Sequence, residues 1–171
     1  MSNISFPRVN APLIPETPTA SVDPVVTTII GQMTSGTATA GQLYEDIDLN
    51  TEDALFGANS LVAADIRAFR SINKVSRVNV IPLADNGAAS DAGGVFTFSG
   101  TATADGTMVF SIANEDGQYS IDIVSGDTAT VVGDKLEAAI TANTKSLVTA
   151  ANTTGAVALT AVNGGTIANK F

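Results

Sequence analysis

Four basic side chains, half of the eight in the 171-residue chain, fall between Arg67 and Arg77: Arg67, Arg70, Lys74 and Arg77. Arg67, Arg70 and Lys74 are spaced i, i+3, i+7, so a helix would line them up on one face. Such a row serves either as a solvated helix face or as a patch that meets an acidic surface on a neighbouring subunit. Nucleic acid is a poor third reading, because the net charge is −9. Upstream lies an acidic run holding Glu45, Asp46, Asp48, Glu52 and Asp53. Asp46, Asp48 and Asn50 imitate the first three ligand positions of a calcium loop. The match then fails, with Thr51 where glycine is required and Gly57 where the bidentate glutamate belongs. The run therefore reads as a solvated strand edge entering a helix N-terminus. Asp127 reads as a helix cap and Glu115–Asp116 as a turn, rather than as a carboxylate dyad. The chain has no histidine and no cysteine, which removes imidazole bases, thiol nucleophiles, disulfides and zinc sites together. Asn3–Ile4–Ser5 and Asn152–Thr153–Thr154 fit the glycosylation pattern but carry no meaning without secretion. No catalytic, cofactor-binding or metal-ligating residue is assigned.

The elements that must position these groups are organised around residues 51–84. Thr51 is the expected N-cap of a first helical turn with Glu52 and Asp53 inside it, and Gly57 breaks that turn. Ser60 caps a longer helix whose apolar face is Val62, Ile66, Phe69 and Asn73, widened by Leu61, Ala64 and Ala68. Val78–Leu83 then reads as a largely buried strand, with Pro82 at an edge or bend. Before this stretch, Val25–Met33 is β-branched and reads as a strand, and the alternation over Gln42–Leu49 predicts an edge strand. Residues 25–84 thus form a partial β-β-α-β layer.

Residues 1–24 hold five of the six prolines and form an extended N-terminal arm rather than helix or central strand. Phe6, Val9, Leu13 and Ile14 give this arm apolar side chains for contacts with a neighbouring subunit. Residues 85–94 are a flexible linker, after which the composition shifts to short strands with Asp-Gly turns. Strands are expected at Val95–Gly100, Thr107–Ala113, Gln118–Val124, Leu147–Ala151 and Ala156–Val162. A helix with Val132, Leu136, Ala139 and Ile140 as its stripe lies before the last two. Residues 95–171 are therefore a small β-rich domain of order β-β-β-α-β-β, and the whole is α+β. Only 15% of the residues are charged, which suits faces covered by neighbours as well as a plain β-rich domain. No apolar run approaches the roughly 20 residues of a bilayer span, so no membrane partner is expected.

Several segments, in order, resemble the N-terminal part of contractile-tail sheath proteins of Mu-like bacteriophages. They are Asp53–Ala54–Leu55–Phe56–Gly57, Ser60, Ala68–Phe69 and Ile81–Pro82–Leu83–Ala84–Asp85. In the second half, residues 99–103, 126–129 and 164–169 resemble a small domain inserted early in such chains. The resemblance implies a structural, non-enzymatic virion protein that polymerises in rings or helical stacks around a tail tube and meets tube and baseplate proteins. It implies contraction by relaxation to a lower-energy packing, and terminal arms that add to adjacent subunits. It places the protein in the tail, and in the host cytoplasm during assembly. It also implies a larger α/β domain and a C-terminal arm beyond Phe171, so a truncated sheath or a fragment is expected. The rival from the residues themselves is a β-rich module that binds a ligand such as a surface glycan through its Asp-Gly loops.

Overall fold

The computed structural model describes residues 25–48, 50–112 and 118–165. The arm, with Phe6, Val9, Leu13 and Ile14, lies outside them, as do Glu115 and Asp116.

The first module is a parallel strand pair joined by helices. Strand β1 (Val26–Gln32) pairs with β2 (Arg77–Leu83) in the register Val26↔Arg77 to Gln32↔Leu83. Between them run α1 (Glu52–Phe56) and α2 (Leu61–Ile72). Parallel strands need such a crossover, and α2 packs back on β1. Its Val62 and Ile66 meet Phe56, Val78, Val80 and Met33 in a dry core, with Tyr44 set edge-on to Phe56 at 5.9 Å. Phe69 is only partly buried, and Ala68 faces solvent, so the apolar face is narrower than the expected one. Gly57 turns the chain at φ 91°, where a Cβ would meet Thr34 and Ser35, and only glycine fits.

Two local expectations are corrected here. Residues 42–48 make no strand: only Tyr44 bridges β2, at Val80, with Asp46 in the left-handed region at φ 51°. The segment still runs along β2, since Tyr44 exchanges backbone bonds with Val80 and Ile47 N–H donates to Val78. Second, the Thr51 side chain does not cap α1; its hydroxyl donates to the Asp48 carbonyl at 2.8 Å instead. Ser60 caps α2 as expected, accepting from Ala63 N–H.

The second module holds two small sheets around one helix, rather than a single sheet. Strand β3 (Gly93–Thr97) starts two residues earlier than its side chains suggest. It pairs with β7 (Ala156–Ala161), which also pairs with β6 (Val148–Thr153). β4 (Gly106–Ser111) and β5 (Gln118–Ile123) form a separate hairpin. Helix α3 (Ala129–Ala142) packs on β5, β6 and β7. Its Val132, Leu136 and Ile140 meet Phe110, Tyr119, Ile121, Ile123, Val148 and Val157. Phe96 and Phe98, from the start of the module, stand edge-on to Phe110 and join the two sheets. The α3 cap is Thr128, not Asp127.

Candidate functional site

The basic row is largely consumed inside its own module. Arg67 donates to Asp53 Oδ1 at 2.6 Å and to the Ala58 carbonyl at 3.0 Å. Arg70 donates to the Ser76 and Ile47 carbonyls at 2.7 and 3.0 Å. The first bonds tie α2 to α1; the second pair ties its C-terminal end to the turn before β2 and to the irregular segment beside it. Arg77 pairs with Asp46 at 2.9 Å, and the bonded guanidinium holds the Asp46 carboxyl below its ordinary value. Lys74 alone of the four is exposed with no acidic partner among the described residues. These roles could not be read from the run itself, because three of the acceptors are backbone carbonyls and two are aspartates 14 and 31 positions away.

The two modules meet across a polar junction. Asn163 is buried, and its side-chain oxygen accepts from Leu61 N–H at 3.1 Å, adding a second cap to α2 from the far end of the chain. Asp85 accepts from Gly164 N–H, and Gln32 donates to both Asp85 and the Gly164 carbonyl. Lys145, in the turn after α3, reaches Asp53 at 3.2 Å and completes an Arg67–Asp53–Lys145 network. An open cleft of about 220 Å³ lies beside this network, lined by Asp48, Asn50, Glu52, Arg67, Arg70 and Lys145 among others. Its charges are mixed, and the described residues contain no group of three acidic, histidine or cysteine side chains that could hold a metal ion. Nothing local marked Asn163, Gln32 or Lys145 as junction residues, since each acts across more than 90 positions.

The remaining carboxylate singled out in the sequence sits in a turn. Asp127 takes the Lys135 ammonium and the Val124 N–H, and both hold its carboxyl below the ordinary value, the lysine more strongly. Lys135 also donates to the Asp122 carbonyl, pinning α3 to the β4–β5 hairpin. Asn152 is engaged by the backbone of α3 and by Asp134.

The side chains singled out thus brace the two modules internally and fasten one to the other. No family model matches the chain. Over 112 residues, 66% of its length, it is 32% identical to the Mu-like prophage FluMu tail sheath protein of Haemophilus influenzae. That stretch covers 23% of the relative, so the likeness concerns under a quarter of that protein.

Proposed function

We propose that the chain is a structural part of a contractile phage tail sheath, a subunit or the N-terminal region of one. The 112-residue likeness to a tail sheath protein carries this reading. In it, copies of the chain polymerise in rings or helical stacks around a tail tube, with tube and baseplate proteins as further partners. Contraction is a change of packing between subunits and uses no enzymatic step. The site of action is the virion tail, after assembly in the host cytoplasm.

The first module supports this reading physically. Parallel sheets are normally covered on both faces, yet only one face of the β1–β2 pair carries a helix. Among the described residues, Val26 and Ile30 stand exposed on the other face, beside Leu83 of β2, and β1 pairs on one edge only. An uncovered edge and face of this kind are completed by added chain. The proline-rich arm of a neighbour, through Phe6, Val9, Leu13 or Ile14, is the addition this reading assigns. Arg77 and Lys74 remain exposed for rim contacts, whereas Arg67 and Arg70 brace the helix. Residues 25–84 and 95–171 act as two domains about the 85–94 linker.

Light scattering and negative-stain imaging of the purified chain test the proposal. Concentration-dependent rings or helices are the expected result. A monomer at all concentrations, with a ligand bound at the Asp-Gly loops, would support the binding-module alternative instead.

A further inference from the structure

Two of the largest exposures of apolar side chains fall within one short turn. Ile72 is 90% exposed and Val75 is 92% exposed, with Lys74 between them. Scattered single apolar residues on a surface need no explanation, but a braced pair does. The Asn73 side-chain oxygen accepts from Val75 N–H and Ser76 N–H at 3.1 and 3.0 Å, and its amide donates to the Ser76 hydroxyl at 2.9 Å. Arg70 holds the Ser76 carbonyl from below. A turn fixed by four bonds loses little conformational entropy when its tip is buried by a partner. The sequence Ile72–Asn73–Lys74–Val75 is therefore a rigid knob bearing two aliphatic groups and one cation.

The complementary surface lies on the second module. In the β4–β5 hairpin, Thr107 pairs with Asp122 and Val109 with Ser120 on the face turned away from α3, because the alternating pairs Met108–Ile121 and Phe110–Tyr119 take the other. Val109 is 56% exposed and Val124, two residues past Asp122, is 52% exposed. The Asp122 carboxylate accepts from the Thr107 hydroxyl at 3.2 Å and has no basic side-chain partner among the described residues. The nearby Lys135 ammonium is committed to Asp127 and to the Asp122 carbonyl. Two valines around an aspartate match two aliphatics around a lysine.

Resting on the assembly reading above, we infer that the Ile72–Val75 knob of one copy docks on the Val109–Asp122–Val124 face of a second copy. The charge of the chain favours a second copy as the occupant. With 17 acidic against 8 basic residues, another copy offers an isolated lysine an excess of acid, and Asp122 is one set among exposed valines. Knob and receiving face are different patches, so a contact made head to tail leaves one of each free on every added copy and propagates into rings or helices.

The test compares self-association by sedimentation velocity and scattering. Ile72→Ser with Val75→Ser should leave the melting temperature unchanged, since both side chains are solvent-exposed in the monomer. It should raise the concentration for half-assembly about tenfold or more. Lys74→Glu and Asp122→Lys should each weaken assembly by about two- to fivefold, and together restore it. Val109→Ser gives an independent check on the receiving face. Should the unaltered protein stay monomeric, the assembly reading and the docking fall together. Should it assemble while the double serine variant assembles equally well, only the docking is wrong. Weakening by the knob variants with none from Asp122→Lys or Val109→Ser would overturn the assignment of the hairpin face.

Discussion

Gly133 shows at the residue scale how tertiary contact overrides local preference. It sits inside α3, where alanine would be favoured by about 1 kcal/mol on propensity alone. A Cβ there would stand 2.4 Å from Asn152 Oδ1, inside contact distance. Asn152 cannot retreat cheaply. Its amide donates to the Thr130 carbonyl and to Asp134, its oxygen accepts from Gly155 N–H, and its own N–H donates to Glu137. Overpacking costs about 1–3 kcal/mol and each net hydrogen bond about 1 kcal/mol, so together they exceed the propensity gain. Gly133→Ala is expected to destabilise by about 1–3 kcal/mol in urea unfolding; a more stable variant would show that the β6–β7 turn yields freely. The same weighing separates two core positions. Leu136 is fully buried, and Leu136→Ala is expected to cost about 2–5 kcal/mol. Phe69 is only partly buried at its cluster's edge, so Phe69→Ala should cost less, about 1–2 kcal/mol. Equal losses in the two variants would place Phe69 deeper than its exposure indicates.

At the scale of elements, α2 depends on two caps of different origin. Ser60 is local, whereas Asn163 comes from beyond β7 and accepts from Leu61 N–H in a buried site. Ser60→Ala removes a cap bond and is expected to cost about 0.5–2 kcal/mol. Asn163→Ala leaves a buried backbone donor unpaired and should cost about 1–3 kcal/mol, with faster amide exchange at Leu61. Unchanged exchange at Leu61 would mean that the second cap adds nothing. The first cap was legible in the sequence and the second was not, because Asn163 follows a strand in a glycine-rich turn that carries no helix signal. The pattern held where one face is buried. Alternation gave β5, whose Tyr119, Ile121 and Ile123 point inward, and the helical stripe gave α3 with Leu136 and Ile140. It misled at residues 42–48, where Tyr44 and Ile47 rather than every second residue face the core, and Asp46 breaks the extended backbone. Gly93 and Gly94 read as linker because they have no side chains to alternate. Their backbone nevertheless pairs with Thr160 and Leu159.

For the whole molecule, the junction between the two modules is polar while each core is dry, a difference that favours separate unfolding over a single transition. Gln32 Oε1 and Asn163 Nδ2 are buried there without a hydrogen-bond partner among the described residues, at a cost of about 1–3 kcal/mol each. Residues 85–94 are pinned at their ends, by Asp85 to Gly164 and by Ala92 to Ala161, while Gly87 and Ala88 between them are exposed. Limited proteolysis should therefore cut near Gly87 first; early cleavage between residues 107 and 140 would contradict two independent cores. The arm belongs to this scale as well, since the role proposed for it lies between molecules. Residues 1–24 carry five prolines, each without a donor, so paired backbone can form only in the short intervals between them. Side chains must then supply much of any affinity, and Phe6, Val9, Leu13 and Ile14 are among the apolar ones available. Among the described residues, the buried side chains of the two clusters belong to residues 33–157. Deleting residues 1–20 is thus expected to leave the melting temperature within a few degrees of the intact chain, while the concentration for self-association rises. Equal assembly of the shortened and intact proteins would reduce the arm to a tail. Unfolding of the shortened protein would show instead that the arm packs on its own subunit, and exchange between neighbours would then be ruled out for this chain.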